Sequence, residues 1–288
     1  MVAIIGGLGA ALSWAIATLA SSRSSRMIGA ASVLGWVMAV GLVVAIGPAL
    51  LVRPITFGPP EVVGLIVLGL SHNTGLLLAY RALTIGQVSI VAPIVATEGA
   101  LAALLSVALG ESLAISTAVI LAVIAVGVVL AAAERPRAED AAGARADPRL
   151  ARRAALLAIS AAVAFSVGLV LSGRMGAAGM PPAWVIVASR TVGVLIIVMP
   201  LLALRRFRIS RPAVPLVVLS GVLEAAGSGL YVVGASHGVA VAAVLSSQFA
   251  AIAAIGGFLL FRERLQRLQL VGVVTIAAGI TILAAMPT

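Results

Sequence analysis

Four ionisable residues, His72, Glu98, Arg190 and Glu224, stand inside apolar sequence. A charge near the centre of a bilayer costs roughly 2.5–3.5 kcal/mol on insertion scales, so each one needs a use. Glu98 or Glu224 can hold an ammonium group or a proton, the Arg190 guanidinium can fork onto a carboxylate, and the His72 imidazole can donate, accept or titrate. The plainer use is structural, with Arg190 paired to a glutamate and tying helices together. Asn73 follows His72 in the polar run Ser71-His72-Asn73-Thr74. Glu224, Ser228 and Tyr231 recur at i, i+4 and i+7, which puts them on one helical face, as in a cavity wall. Gln248, next to Ser246 and Ser247, offers an amide, although serines also permit close helix packing. Trp14 and Phe165 supply aromatic surface. Pro93, one turn before Glu98, removes a backbone hydrogen bond and predicts a kink, either static or hinging.

The elements that position these residues follow from composition. Of 288 residues, 62% are apolar and 10% charged, and the mean hydropathy is +1.23. Soluble domains carry about 25% charged residues to cover their exterior, so this chain belongs in a bilayer. Apolar runs predict ten transmembrane helices over 2–20, 29–52, 60–80, 86–109, 113–133, 152–172, 182–204, 213–233, 239–261 and 267–286. The runs are continuous instead of alternating, which excludes a transmembrane barrel and leaves an all-α membrane protein. Cysteine and lysine are absent, so disulfides, thiolate metal sites and lysine nucleophiles are excluded, and no metal or other cofactor is expected. Met1 leads straight into an apolar stretch without a basic leader, so the first span is expected to be retained.

Most connections are short, but the polar segment 134–151 divides the chain into a first unit, 1–133, and a second, 152–288. An offset of 152 residues lays Gly75 on Gly227, Gly86 on Gly238, Glu111 on Glu263 and Gly127 on Gly279. Because each unit has an odd number of spans, the second copy enters the membrane from the opposite side, giving two inverted five-helix repeats. His72 then maps onto Glu224, near the centre of the pseudo-symmetry. Pro93 maps onto Leu245, which lacks its constraint. Glu111 and Glu263 each precede a helix, where a carboxylate favours the positive end of the macrodipole, and both read as structural.

Sixteen arginines fall on one side of these spans and only Arg53 and Arg174 on the other. The asymmetry predicts a multi-pass protein of the inner membrane with a cytoplasmic linker and both termini outside. The net charge of +10 is therefore topological and does not point to nucleic acid.

The loops Gly110-Glu111-Ser112-Leu113 and Arg262-Glu263-Arg264-Leu265 resemble the Gly-Glu-Arg-Leu signature of the drug/metabolite transporter superfamily, specifically its ten-helix EamA-type exporters. Trp14 and Arg190 also sit where that family often has an aromatic residue and an arginine. The resemblance implies two inverted repeats around a central cavity and alternating access. It also implies a monomeric transport unit whose partners are a small-molecule substrate and membrane lipid. Resemblance to the family's amino-acid exporters, together with membrane residues of both charge signs, favours neutral or aromatic amino acids. Efflux of organic cations or drugs by proton antiport is the alternative. The substrate-binding set expected on this reading is Trp14, His72, Asn73, Glu98, Phe165, Arg190, Glu224, Ser228, Tyr231 and Gln248, with Pro93 as hinge. Two features depart from the family: the second helix lacks an arginine, with Trp36-Val37-Met38 where Arg190 would map, and the termini are expected outside where many members have them inside. An intramembrane enzyme is the rival class. Gly69-Leu70-Ser71-His72 begins like a rhomboid motif without completing it, and no His-Glu-x-x-His occurs.

Overall fold

The computed structural model describes residues 1–52, 57–85, 91, 94–132, 148–249, 251–252 and 267–286. The first half contributes α1 (Val2–Ile28), α2 (Ala30–Leu51), α3 (Pro59–Ile85), α4 (Glu98–Ala108) and α5 (Ile115–Ala132). The second contributes α6 (Pro148–Ala177), α7 (Pro182–Ala203), α8 (Val214–Ala235), α9 (Val239–Ser246) and α10 (Arg267–Ala285). Among the described residues there is no strand, and α1, α2, α3, α6, α7 and α8 are long and apolar enough to cross a membrane. Several helices overrun their apolar stretches. α1 continues through Arg23 and Arg26 until Gly29, at φ 85°, turns the chain. α6 starts on Pro148, inside the expected linker, because proline suits the first helical turn.

The ten helices form the two inverted repeats. α1 packs on α8 as α6 packs on α3; α2 on α8 as α7 on α3; α1 on α9 as α6 on α4; and α5 and α10 pair with each other. Each contact thus recurs with the halves exchanged. In lipid no hydrophobic drive brings helices together, so small residues that let backbones approach must do so. A methyl group on Gly69 would run into Val192, and one on Gly221 into Val40; one on Gly127 would meet Ile276, and one on Gly279 would meet Ile124. All four residues in each set are related by the offset of 152. Large apolar side chains such as Val43, Leu51, Leu104, Ile115 and Leu195 face outward, as lipid contact requires.

The fourth helix of each half is interrupted at matching depth. In the first half Ala96 and Thr97 form a turn before α4, with the Thr97 hydroxyl donating to Ile94 O at 2.6 Å. In the second half Ser247 and Gln248 form a turn after α9, and the Ser246 and Ser247 hydroxyls donate to Ala243 O and Val244 O at 3.0 and 2.9 Å. Hydroxyls that bond back to the preceding turn compete with the helix ladder and bend it. Pro93 lies outside the described residues, and the second interruption has no proline. An interruption at this depth therefore does not require a proline.

Candidate functional site

Two residues 152 apart that touch each other must lie beside the pseudo-two-fold axis, and two such contacts carry chemistry. Arg190 Nη1 donates to Met38 Sδ at 3.3 Å. His72 Nε2 lies 3.5 Å from Glu224 Oε1. α2, α3, α7 and α8 each deliver one of these four side chains.

Arg190 is only 1% exposed, and its charge is met on two sides. Nη2 forms an ion pair with Glu224 Oε2 and donates to Ser228 Oγ at 3.0 Å. The Ser228 hydroxyl donates in turn to Glu224 O at 2.8 Å, one helical turn back. Gly41 leaves room for the arginine, since a methyl group there would press on its Cδ and Nε. Nε itself has no hydrogen-bond partner among the described residues. Just beyond Arg190, α7 widens into a π turn over Val194–Val198, a distortion frequent at functional sites.

Aromatic residues from the first helix of each repeat back the axis. Trp14 Nε1 donates to Glu224 O at 3.3 Å, and the indole rests on Gly227. Phe165 occupies the mirrored place on Gly75, where its ring meets His72 edge-on at 5.9 Å. Tyr231 lies 6.0 Å from Trp14, and its hydroxyl donates to Leu169 O at 3.0 Å. A cavity of about 40 Å³ opens here, lined by Trp14, His72, Arg190, Ser228 and Tyr231 among smaller and apolar neighbours. That volume suits water and is too small for an amino acid.

The other expected residues lie elsewhere. Asn73, one residue from His72, points to a different face because each helical residue turns by about 100°. Its Nδ2 donates to Gly69 O at 2.8 Å and Ser189 O at 3.0 Å, which straps α3 to α7. Glu98 is buried in the first turn of α4, where the helix end favours a carboxylate, and it does not line the cavity. Its neighbour Gly99 packs on Ala243 and Ser247, which brings the start of α4 against α9 and the turn that follows it. Gln248 is buried in the turn after α9, with Nε2 unpartnered among the described residues. Its neighbour Phe249 meets Trp14 edge-on at 6.5 Å, linking the interrupted helix to the axis.

Sequence reasoning missed Met38 as a contact of Arg190. The repeat offset already paired them, and an inverted repeat brings such equivalents together at its axis. Glu111 also differs from expectation. Instead of serving its own following helix, its Oε1 and Oε2 accept from Ala240 N at 3.2 and 3.1 Å, capping α9 of the other repeat. Nearby, Arg174 Nη1 donates to Leu109 O at 3.2 Å, a second hydrogen bond between the repeats at this end of the bundle. Glu263 lies outside the described residues.

The sequence matches the family model of the EamA-like transporter family over residues 1–133 and 152–285. A solved crystal structure, described only as that of a protein, superposes with a TM-score of 0.76 at 20% identity, covering 98% of this chain and 96% of that chain. At that identity the likeness concerns the fold. No curated protein matches the chain.

Proposed function

The chain belongs to the EamA-like transporter family, and from that premise we propose that this membrane transporter exports neutral or aromatic amino acids. The observation that carries the reading is the adjacency of Arg190 and Glu224 beside one cavity on the axis. A zwitterion needs both signs. Its carboxylate would take Arg190 as its ammonium group takes Glu224, while His72 stands at the second carboxylate oxygen. Trp14 and Tyr231 line the same cavity as Arg190, and Phe165 meets His72, so aromatic surface suited to an apolar side chain lies close by. A membrane transporter family also speaks against the intramembrane enzyme.

Because about 40 Å³ admits no amino acid, the halves must part to load substrate. We assign alternating access to movement around the axis, with the interruptions at Ala96–Thr97 and Ser247–Gln248 as the yielding points. The proposed setting is the inner membrane, with the arginine-rich end cytoplasmic, both termini outside and one chain as the transport unit. Single cysteines near residue 140 and residue 286 test the orientation. An impermeant thiol reagent added to intact cells should label only the second.

The deciding experiment is amino-acid flux in proteoliposomes, with and without a pH gradient, for Arg190→Gln, Glu224→Gln and Glu98→Gln. Arg190→Gln and Glu224→Gln should each abolish flux; full flux in either sinks the proposed site. One observation favours the second reading, organic-cation efflux by proton antiport: Glu98 is buried with no ion-pair partner among the described residues. On that reading cation flux survives Arg190→Gln, and its pH dependence disappears in Glu98→Gln.

A further inference from the structure

The connection between α7 and α8 places four arginines, Arg205, Arg206, Arg208 and Arg211, within seven residues, and all four are exposed. None has an ion-pair partner among the described residues. One-sided charge alone would require only that these residues stay in water, on a loop of any shape. This loop is instead fixed in detail. Ser32 Oγ donates to Arg206 O at 3.3 Å and accepts from Arg208 N at 3.2 Å. Trp36 Nε1 donates to Arg208 O at 2.9 Å. The Phe207 ring stacks on Trp36 at 4.6 Å and 18°, in space that Gly35 leaves free.

Arg205 itself supplies a second, independent sign. It takes the left-handed conformation, φ 52°, in the turn that ends α7, where the Arg205 and Arg206 amides donate to Leu202 O and Leu201 O at 2.9 and 2.8 Å. Such a turn ordinarily takes glycine. The other described residues at positive φ, Gly29, Gly110, Gly179 and Gly238, are all glycines. Here a guanidinium is kept against backbone preference, which points to a use for the side chain. Leu202, Leu204 and Ile209 are exposed beside the arginines, so the loop presents apolar and cationic groups side by side at a helix end.

We propose that this loop is a built headgroup site for an anionic phospholipid of the adjoining leaflet. The lipid phosphate sits among the guanidinium groups, which match its oxygens in bidentate fashion, and the acyl chains run down past Leu202, Leu204 and Ile209. Ser32, Trp36 and Phe207 position the loop and touch no lipid phosphate. The site lies outside the axial cavity and holds whatever the transported substrate is.

The test uses the full chain in neutral detergent, with bound lipid counted by native mass spectrometry and the thermal midpoint followed during titration. Phosphatidylglycerol should bind and raise the midpoint, whereas phosphatidylcholine and millimolar inorganic phosphate should do neither. Replacing all four arginines by glutamine should weaken phosphatidylglycerol binding roughly tenfold or more. The double variant Ser32→Ala/Trp36→Leu keeps every charge but releases the loop, and it should lose most of the same binding. If the fourfold variant does not insert, Arg208→Gln replaces it, with a smaller loss expected. Undiminished binding in the arginine variants, equal binding of phosphatidylcholine, or the same midpoint rise with inorganic phosphate overturns the proposal. So does a released loop that binds as tightly as the native one, because charge alone would then suffice.

Discussion

Met38 and His72 in the first half hold the places that Arg190 and Glu224 hold in the second, and the four side chains meet at the axis. The backbone around them is close to symmetric, with Gly69 and Gly221 receiving equivalent valines and Phe165 and Trp14 resting on equivalent glycines. The chemistry is not symmetric. One half offers a thioether and an imidazole, the other an ion pair braced by Ser228, whose counterpart is Leu76. Fold symmetry therefore tolerates, and here carries, a polarised centre. Small residues at helix crossings maintain the first property, and a few large polar residues at the axis create the second.

Arg190→Met tests that polarity most severely by making the two halves alike at one axial pair. It leaves the partly buried Glu224 carboxylate without its guanidinium, a loss of up to about 3–5 kcal/mol, the range for a buried pair broken on one side. The expected readouts are a large fall in thermal midpoint and no flux. Adding Glu224→His to that variant gives both halves the Met and His chemistry, and stability should return while flux does not. Transport by this symmetrised protein would show that the polarity is dispensable.

Gly69→Ala and Gly221→Ala test the symmetric side. Each drives a methyl into a valine of the facing helix, and each should cost about 1–3 kcal/mol. Thermal midpoints that fall by similar amounts sharpen the comparison; a loss confined to one variant breaks it.

The loop acid gives a smaller effect. Glu111→Gln should lower stability by about 0.5–2 kcal/mol, because the charged acceptor at the start of α9 is lost while the shape remains. An unchanged midpoint would mean that the cap contributes nothing. Smallest is Trp14→Phe, which keeps the aromatic surface but removes the donor to Glu224 O, at about 0.5–1.5 kcal/mol. Calorimetry showing no loss would leave the indole nitrogen without a structural role.

Much of this arrangement was readable before the structure. Hydropathy gave the spans because lipid demands long apolar runs, and the offset that aligned Gly75 with Gly227 and Gly127 with Gly279 is the one the packing obeys. Asn73 and His72 are neighbours in sequence and read as one polar group, whereas helix rotation separates them in space. The second interrupted helix was unreadable for a different reason. A serine pair such as Ser246-Ser247 sits in straight helices as well as bent ones, and Ser24 and Ser166 make the same backward bonds within unbroken helices, so only the backbone turn at Ser247–Gln248 shows the interruption. A loop acid such as Glu111 carries no sign in the sequence of which helix end lies across from it.

The sequence by itself determined a bilayer protein, an even division into inverted halves and a short set of polar residues within the apolar spans. Apolar length, glycine spacing and charge asymmetry are local or periodic, and one strand of letters carries them. Which polar residues meet was decided only by the tertiary structure. An inversion axis brings together residues 152 positions apart, and whether His72, Arg190 and Glu224 reach one point while Glu98 and Asn73 turn aside depends on how helices rotate against each other.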